Sequence, residues 1–443
     1  MQLKLFSAKD GVTLDVIRFY QSNLGALYEA LPIKVLAKDI ELQLSGMGRC
    51  PILSVAGKIG LCVLKHYWKM SDAQLVEQLN TNPIARLFCD LPAHYPHWIK
   101  DEDLPSRTRL WLAEYLNWDK VEKHLMSFWE EDLEDTQVAM MDATCYESHV
   151  AYPTDVKLLW KACEWIERRK KELCKALNIK RPRSKFKDIK NAFLSYSKLR
   201  KKSRKKEKRV RKRLLNLLEK LLGQLDHLLR LESSTQNWKP NWWQRLETIK
   251  TVFEQQKYHY NNPNPKDKSI PDRIVSLHKP YLRPIVRGKE TKRVEFGLKV
   301  NMIQIDGINF IEHISPKAFH EGNRLQNSVL KHLQLARRCS HLGADKIYAT
   351  NKNRKWLSSK GIFTNFLPKG KKAKDEPVRK QMRSILDKVR STRLEGSFGT
   401  EKEHYHLKKI KARTLATEII WIRFGILTAN AMRIVRRRKK TAA

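Results

Sequence analysis

The sequence lacks the features of secreted and membrane proteins. Its seven cysteines are scattered and have no CxxC spacing, which argues against a disulfide framework and against a zinc site. The first residues, MQLKLFSAKDGVTLD, lack the charged and then apolar run of a signal peptide. The most apolar late stretch, 414–432, is interrupted by Glu418 and Arg423 and predicts a buried helix instead of a membrane span. We therefore expect a cytoplasmic protein with no membrane partner.

Acidic residues are scarce compared with basic ones. The 443 residues include 47 Asp and Glu against 88 Lys and Arg, a formal net charge of +41. This bias predicts a polyanionic partner, and nucleic acid is the obvious one. Hydrophobic residues make up 41% of the chain and 12 residues are tryptophan, which is enough to build real cores and argues against wholesale disorder.

The N-terminal region has a mostly helical pattern up to about residue 125. The tetrapeptide Ser71-Asp-Ala-Gln74 has the form of a capping box and predicts a helix through Val76 and Leu79. A plain helical bundle and a module that recognises DNA ends both fit this pattern. Helix-turn-helix spacing is too generic to decide between them.

The rest of the chain predicts an α/β fold. A first strand at 137–152 is followed by a helical insertion, a linker at 261–265, and two strands joined at Asp306-Gly307. Shorter strands are predicted at 345–350 and 362–367, with helices between and after them. Three antiparallel strands followed by two flanked parallel ones is the RNase H-like order.

These patterns predict four segments. The fold class is α/β, with an RNase H-like catalytic core, a helical N-terminal domain, and a helical insertion between the first and second strands. The predicted boundaries are 1–125 for the N-terminal domain, 126–153 and 272–415 for the catalytic domain, 154–271 for the basic insertion with its linker, and 416–443 for the C-terminal helix and basic tail.

Three acidic residues fall where this topology would bring them together. Asp142 follows the apolar run VAMM, Asp345 opens DKIYAT, and Glu395 lies on a helix predicted over 378–407 with a break near its glycines. Three converging carboxylates can hold two divalent cations about 3.5–4 Å apart for attack on a phosphodiester. Asp142, Asp345 and Glu395 are therefore the predicted catalytic and metal-binding residues. Asp306, in its Asp-Gly pair, is interpreted as structural and is the alternative second carboxylate.

A dense basic run lies inside the predicted insertion. Residues 198–213 include 12 Lys and Arg and one acid, and leucines at 214, 218, 221, 225 and 228 follow at helical spacing. A helical hairpin with a solvated face and a DNA-contacting arm both fit, and we favour the arm because such a run repels itself unless phosphates neutralise it. The leucine seam fits either intrachain packing or a dimer contact. The candidate DNA-binding residues of the run are Arg200, Lys201, Lys205 and Arg209.

Two further basic segments are candidates for phosphate contacts. Arg283, Arg287 and Lys289 precede the predicted strand pair, where a clamp on the DNA backbone is the hypothesis. The basic tail at 433–440 fits a phosphate-binding extension or a disordered solubilising end.

Five sequence blocks, taken in order, resemble the insertion-sequence DDE transposases, in particular the bacterial group of families four and five and their relatives. The resemblance covers most of the chain. The blocks are the N-terminal SVAGKIGLCVLKHYWKMSDAQLVEQLNTNPIARLFCDL, the first-aspartate MDATCYESHVAYPTD, the strand pair RPIVRGKETKRVEFGLKV, the second-aspartate GADKIYATNKN, and the glutamate block RLEGSFGTEK.

The resemblance implies a transposase that binds the terminal inverted repeats of its insertion sequence and catalyses metal-dependent DNA strand cleavage and strand transfer. The three acids would coordinate two Mg²⁺ ions, with Mn²⁺ as a substitute, and no covalent enzyme intermediate would be needed. The partner would be double-stranded DNA, as element ends and as target, bound by a homodimer in the bacterial cytoplasm at the nucleoid. An RNase H-like DNA nuclease and an inactive DNA-binding derivative remain the alternatives.

The glutamate block also suggests basic residues near the site. Lys402 lies seven residues after Glu395 and would share its helix face, where it could bind a phosphate near the cut. The family's arginine is expected four residues before the glutamate. Arg390 and Arg393 stand five and two residues before it, so both are candidates.

Overall fold

The computed structural model describes residues 8–43, 51–94, 97–231, 238–262, 270–286, 294–370 and 374–442. The chain folds into two compact units. The first combines 1–149 with 297–443, and the second is 150–296.

The N-terminal part of the first unit is helical, as predicted. The Ser71 side chain accepts a hydrogen bond from Gln74 N, and the Gln74 side chain accepts one from Ser71 N, so the predicted capping box is confirmed. Trp129 is fully buried and its indole donates to Ala30 O. The helices are α1 (Ala8–Gln21), α2 (Asn23–Glu29), α3 (Ile33–Glu41), α4 (Val55–Trp68), α5 (Asp72–Thr81), α6 (Pro83–Phe88), α7 (Leu104–Tyr115) and α8 (Trp118–Phe128).

A mixed sheet follows. In the first unit its order is β4, β3, β1, β5, β6. The pairs β4–β3 and β3–β1 are antiparallel, and the pairs β1–β5 and β5–β6 are parallel. The predicted strand directions are therefore confirmed. The strands are β1 (Val138–Glu147), β2 (Pro284–Val286), β3 (Val294–Ile305), β4 (Ile308–Ser315), β5 (His341–Ala344) and β6 (Phe363–Thr364).

The predicted hairpin turn is confirmed. Asp306 and Gly307 connect β3 to β4 and have φ angles of 42° and 81°. Two successive left-handed residues make the turn that matches strand twist, and Asp-Gly is a favoured pair for it.

One prediction after β4 was wrong. The strand predicted at 345–350 is absent from this described segment: β5 ends at Ala344, and Lys346–Tyr348 forms a 3-10 turn because the Asp345 side chain accepts a hydrogen bond from Lys346 N. The long helix is irregular directly before Gly396, near the glycines where a break was predicted. The elements are α13 (Leu325–Ala336), α14 (Asn351–Ser359), α15 (Glu376–Val389), a π-helical segment (Arg390–Glu395) and α16 (Gly396–His404).

The C-terminal helix α17 (Leu415–Thr441) is largely buried, as predicted for 414–432. The basic tail is helical up to Thr441, so the disordered end is wrong, and phosphate binding by the tail stays a prediction. Arg437 Nη1 lies 2.9 Å from Asp306 Oδ2, and Arg438 Nη2 lies 2.8 Å from Asp132 Oδ2. These tail arginines therefore hold the last helical turns against the hairpin turn and the segment before β1.

The second unit is a helical insertion that starts after β1. Its elements are α9 (Asp155–Ala176), α10 (Phe186–Lys198), α11 (Arg204–Leu229) and α12 (Pro240–Asn261), and β2 pairs with the first residues of β3. The five seam leucines of α11 are buried in the core of this unit, which confirms the intrachain alternative. Most of the predicted linker lies outside the described residues. No described helix combines the length and apolarity that a membrane span needs.

Candidate active site

The parallel ladder between β1 and β5 ends at the pair Met141 and Ala344. Each of these residues is followed directly by an aspartate, Asp142 on β1 and Asp345 after β5. Neighbouring strands lie about 4.8 Å apart, so the ladder brings the two aspartate backbones side by side although 203 residues separate them.

Asp142 is largely buried and has two hydrogen-bond partners. Its Oδ1 accepts from Ala143 N at 2.7 Å, and its Oδ2 accepts from Arg390 Nη1 at 2.9 Å. Burial raises the pKa of Asp142 to about 6, against the opposing effects of the Ala143 amide and the Arg390 charge. Burial thus destabilises the ionised form of Asp142, and a nearby positive charge stabilises it.

Arg390 connects Asp142 to Glu395. The same Arg390 Nη1 donates to Glu395 Oε1 at 2.8 Å, and the Glu395 side chain remains 48% exposed. Both residues belong to the π-helical segment, in which residues five apart are one turn apart. Because of the extra residue, Arg390 lies one turn before Glu395, where a residue four positions earlier would lie in a regular α-helix.

Arg393 occupies a different position. Its Nη1 lies 3.6 Å from Asp306 Oδ1 at the hairpin turn, and its side chain is 58% exposed. Arg390 is thus the arginine that contacts two of the three predicted catalytic carboxylates, Asp142 and Glu395, and the sequence spacing alone could not distinguish Arg390 from Arg393.

Lys402 lies against β1. Its Nζ donates to Thr144 Oγ1 at 3.0 Å and lies 5.6 Å from the ring centre of Tyr146. Thr144 and Tyr146 follow Asp142 at two-residue intervals and share its face of the strand. Lys402 is therefore on the same side of β1 as Asp142.

Asp345 is exposed and caps its own turn. Its Oδ1 accepts from Lys346 N at 2.6 Å, and Tyr348 anchors the turn by donating to Asn301 Oδ1 at 2.7 Å. Burial raises the pKa of Tyr348, with further contributions from Glu321, Asp142 and Asp345. Glu321 is a further acidic residue near these groups that the sequence did not predict, and its carboxylate lies 2.7 Å from Lys299 Nζ.

The donor chemistry fits a divalent cation, since Mg²⁺ prefers carboxylate oxygens. Arg390, however, supplies the positive charge between Asp142 and Glu395. Throughout the described ranges, no three Asp, Glu, His or Cys residues are grouped closely enough to hold a metal ion. For an ion to bind between Asp142 and Glu395, the Arg390 side chain would have to turn away from the two carboxylates. The Asp345 side chain, at the end of β5, would have to turn towards the ion.

The predicted DNA-binding residues of the insertion are at the surface. The side chains of Arg200, Lys201, Lys205 and Arg209 are exposed around the start of α11. Arg211 of the same run instead pairs with Asp155 at 3.2 Å and donates to His259. Arg287 and Lys289 lie outside the described residues.

Residues 342–430 match a protein-family model described as the transposase DDE domain. This part of the chain is similar to transposase DDE domains. The matched range is about a fifth of the chain and contains Asp345, Arg390, Glu395 and Lys402, whereas Asp142 lies outside it, on the strand that pairs with β5. No curated protein and no solved structure matches the chain.

The DDE domain indicates a transposase and hence a DNA-cutting enzyme. Transposase DDE domains in general use divalent metal ions. The finer family assignment stays a prediction.

A buried polar network joins α16 and α17 to β1 and β4, and the sequence did not predict it. Glu401 Oε1 accepts from Asn309 Nδ2 at 2.6 Å, and Tyr146 donates its hydroxyl to Glu401 Oε2. Asn309 is held in turn by Asn430 of α17. Within EKEH, Glu401 has the pattern of an exposed helix residue, and its burial arises only when α16 packs on β1 and β4.

Glu401 predicts a specific pH dependence of stability. Burial raises its pKa to about 7 from an ordinary 4.5, although Tyr146, Asn309, Arg433 and Lys402 all act in the opposite direction. Between these pH values the native protein keeps a proton that the unfolded chain loses, so this contribution to stability is present below pH 4.5 and is lost as the pH rises through 7. The loss is on the order of 3 kcal/mol.

The matched variant is Glu401→Gln, which does not titrate. We expect the thermal midpoint of the wild type to fall more between pH 5 and pH 8 than that of the variant, as followed by circular dichroism. Identical pH dependence in the two proteins would show that Glu401 is ionised in the native state at pH 5.

Proposed function

We propose that the protein is a transposase that binds the terminal inverted repeats of its own insertion sequence, cuts DNA at these ends and joins the 3′-hydroxyls to a target. The observation that carries the proposal is the contact of one guanidinium nitrogen with both Asp142 and Glu395, about 250 residues apart in the sequence. The in-register position of Asp345 beside Asp142 supports it further.

The proposed fold of the catalytic core is RNase H-like. Its support is the strand order β4, β3, β1, β5, β6 with two parallel strands at one edge. In this proposal Asp142, Asp345 and Glu395 would hold two Mg²⁺ ions. Bound Mg²⁺ would activate the attacking oxygen and stabilise the leaving oxygen of the phosphodiester.

The chain's own residues would orient the DNA around these carboxylates. We assign Lys402 to a phosphate near the cut, because its ammonium group reaches the β1 face that carries Asp142. Arg390 would contact the DNA backbone when it leaves the two carboxylates. The exposed cations Arg200, Lys201, Lys205 and Arg209, around the start of α11, would bind DNA further from the cut. A homodimer would bridge two ends at the nucleoid.

A supercoiled plasmid that carries the element's two ends tests this function. We expect excision and integration products in the presence of Mg²⁺. Nicking without strand transfer would instead identify an RNase H-like nuclease, and a mobility shift without any cutting would identify an inactive DNA-binding derivative. DNA sequence flanking the gene gives an independent test, since inverted repeats should lie close to both of its ends.

The two arginines of the π-helical segment give a matched pair of variants. We expect Arg390→Ala to lower the cleavage rate roughly ten- to a hundredfold. This corresponds to the loss of about 1.5–3 kcal/mol, which is typical of a hydrogen bond to a charged group. Arg393→Ala should change the rate much less, because an exposed ion pair contributes at most about 1 kcal/mol. Single-turnover cleavage with saturating enzyme measures both. A larger effect at Arg393 would reverse the assignment.

A further inference from the structure

Four basic side chains of the insertion form a group that the sequence did not single out. We call Lys161, Arg168, Arg245 and His278 the cation cluster. Lys161 and Arg168 lie two turns apart on one face of α9, Arg245 lies on α12, and His278 follows α12 in the chain. Arg245 Nη2 donates to His278 Nδ1 at 3.3 Å.

None of the cluster's four members forms an ion pair with a carboxylate in the described part of the chain. Glu164, which lies one turn from both Lys161 and Arg168 on α9, pairs with neither of them. Burial lowers the pKa of His278, and Arg245, Lys161 and Arg168 lower it further, so His278 is a neutral acceptor for Arg245. Burial and Arg168 likewise lower the pKa of Arg245. The three cations Lys161, Arg168 and Arg245 therefore repel one another in the free protein.

Several other cations of the same unit are neutralised. Arg211 and Arg273 both pair with Asp155, and Lys257 Nζ lies 2.8 Å from Glu219 Oε1. Like the exposed basic run around the start of α11, the cluster instead holds positive charge that no carboxylate of the described residues pairs with.

The cluster rests on a packed aromatic base. Trp238 makes edge contacts with Trp165 of α9 and Trp242 of α12, with ring centres 6.3 and 5.4 Å apart. The Arg169 guanidinium lies 4.1 Å from the ring centre of Trp242. These contacts hold the two helices at fixed separation, so the cations they carry are positioned before any partner binds.

We propose that the cation cluster is a binding site for the phosphate backbone of duplex DNA, separate from the basic run around the start of α11. This inference rests on the proposed function. Phosphates relieve the repulsion among Lys161, Arg168 and Arg245, and guanidinium groups match phosphate oxygens in geometry. Each neutralised phosphate also releases condensed counterions, which favours binding.

The test uses full-length protein and a short duplex DNA of arbitrary sequence, with binding measured by fluorescence anisotropy over a range of salt concentrations. The variant is Arg168→Gln with Arg245→Gln. Its matched control is Lys250→Gln with Lys257→Gln, which removes two ion-paired charges from α12. We expect the slope of log K against log salt to become shallower by roughly two units in the variant, at about 0.9 per lost phosphate contact, and to stay unchanged in the control.

Thermal unfolding distinguishes this result from misfolding. Because the variant removes repulsion, its thermal midpoint without DNA should be at least that of the wild type. Wild-type binding with an unchanged slope in the variant would overturn the cluster and leave the proposed function standing. A wild type that does not bind DNA at all would overturn both.

Discussion

Asp142→Asn is expected to abolish DNA strand cleavage while leaving binding to the element ends largely intact. The substitution keeps the size of the side chain and removes the charge needed for a divalent cation, whose effect on a phosphoryl transition state is worth several kcal/mol. We expect a loss of at least about a thousandfold in cleavage rate, measured on a supercoiled plasmid carrying the ends. Asp345→Asn and Glu395→Gln should behave in the same way.

Asp306→Asn is the matched control for the two aspartates. Asp306 lies at the hairpin turn and pairs with Arg437, and asparagine tolerates its left-handed conformation. This variant should keep cleavage activity. Retained cleavage by Asp142→Asn, Asp345→Asn or Glu395→Gln would remove that residue from the site, and loss of cleavage in Asp306→Asn with normal folding would restore it as the second carboxylate.

The second large effect is expected at the basic run of the insertion. Replacing Arg200, Lys201, Lys205 and Arg209 together by glutamine should weaken DNA binding and make its salt dependence shallower by roughly 3–4 units, at about 0.9 per phosphate contact. Arg211 is left unchanged, since its pairing with Asp155 belongs to the core of the unit. Anisotropy titrations at several salt concentrations measure the slope.

A charge-retaining variant controls for the loss of specific side chains. It exchanges arginine and lysine at the same four positions, and its salt slope should equal that of the wild type because counterion release depends on charge. An unchanged slope in the glutamine variant would mean that the run does not touch phosphates. The solvated-face interpretation of 198–213 would then be correct.

Local patterns predicted much of the fold. The Ser71 capping box, the Asp306-Gly307 turn and the seam leucines each follow from rules that act over a few residues. The strand directions also followed, because the order of elements leaves few ways to connect a sheet. The division into four domains stays a prediction. Residues 1–149 and 297–443 form one compact unit with a shared core.

The environment of the site was harder to predict. Arg390 and Arg393 look alike in sequence, and a single extra residue in a π-helical turn decides which of them meets Asp142 and Glu395. The burial of Glu401 and the docking of the tail arginines depend on partners that are 92 or more residues away in the chain. No local sequence pattern indicated that Arg390 lies between the carboxylates of Asp142 and Glu395. Likewise, none indicated that the Asp345 side chain accepts a hydrogen bond from the adjacent backbone amide.

The sequence by itself determined the charge, the helices and turns, and the three acids as candidates, because propensity, periodicity and capping act between near neighbours. Tertiary structure alone decided how these acids are neutralised and which basic groups are left uncompensated. The reason is physical: charge compensation and burial depend on distances in space, and only packing sets those distances for residues far apart in the chain.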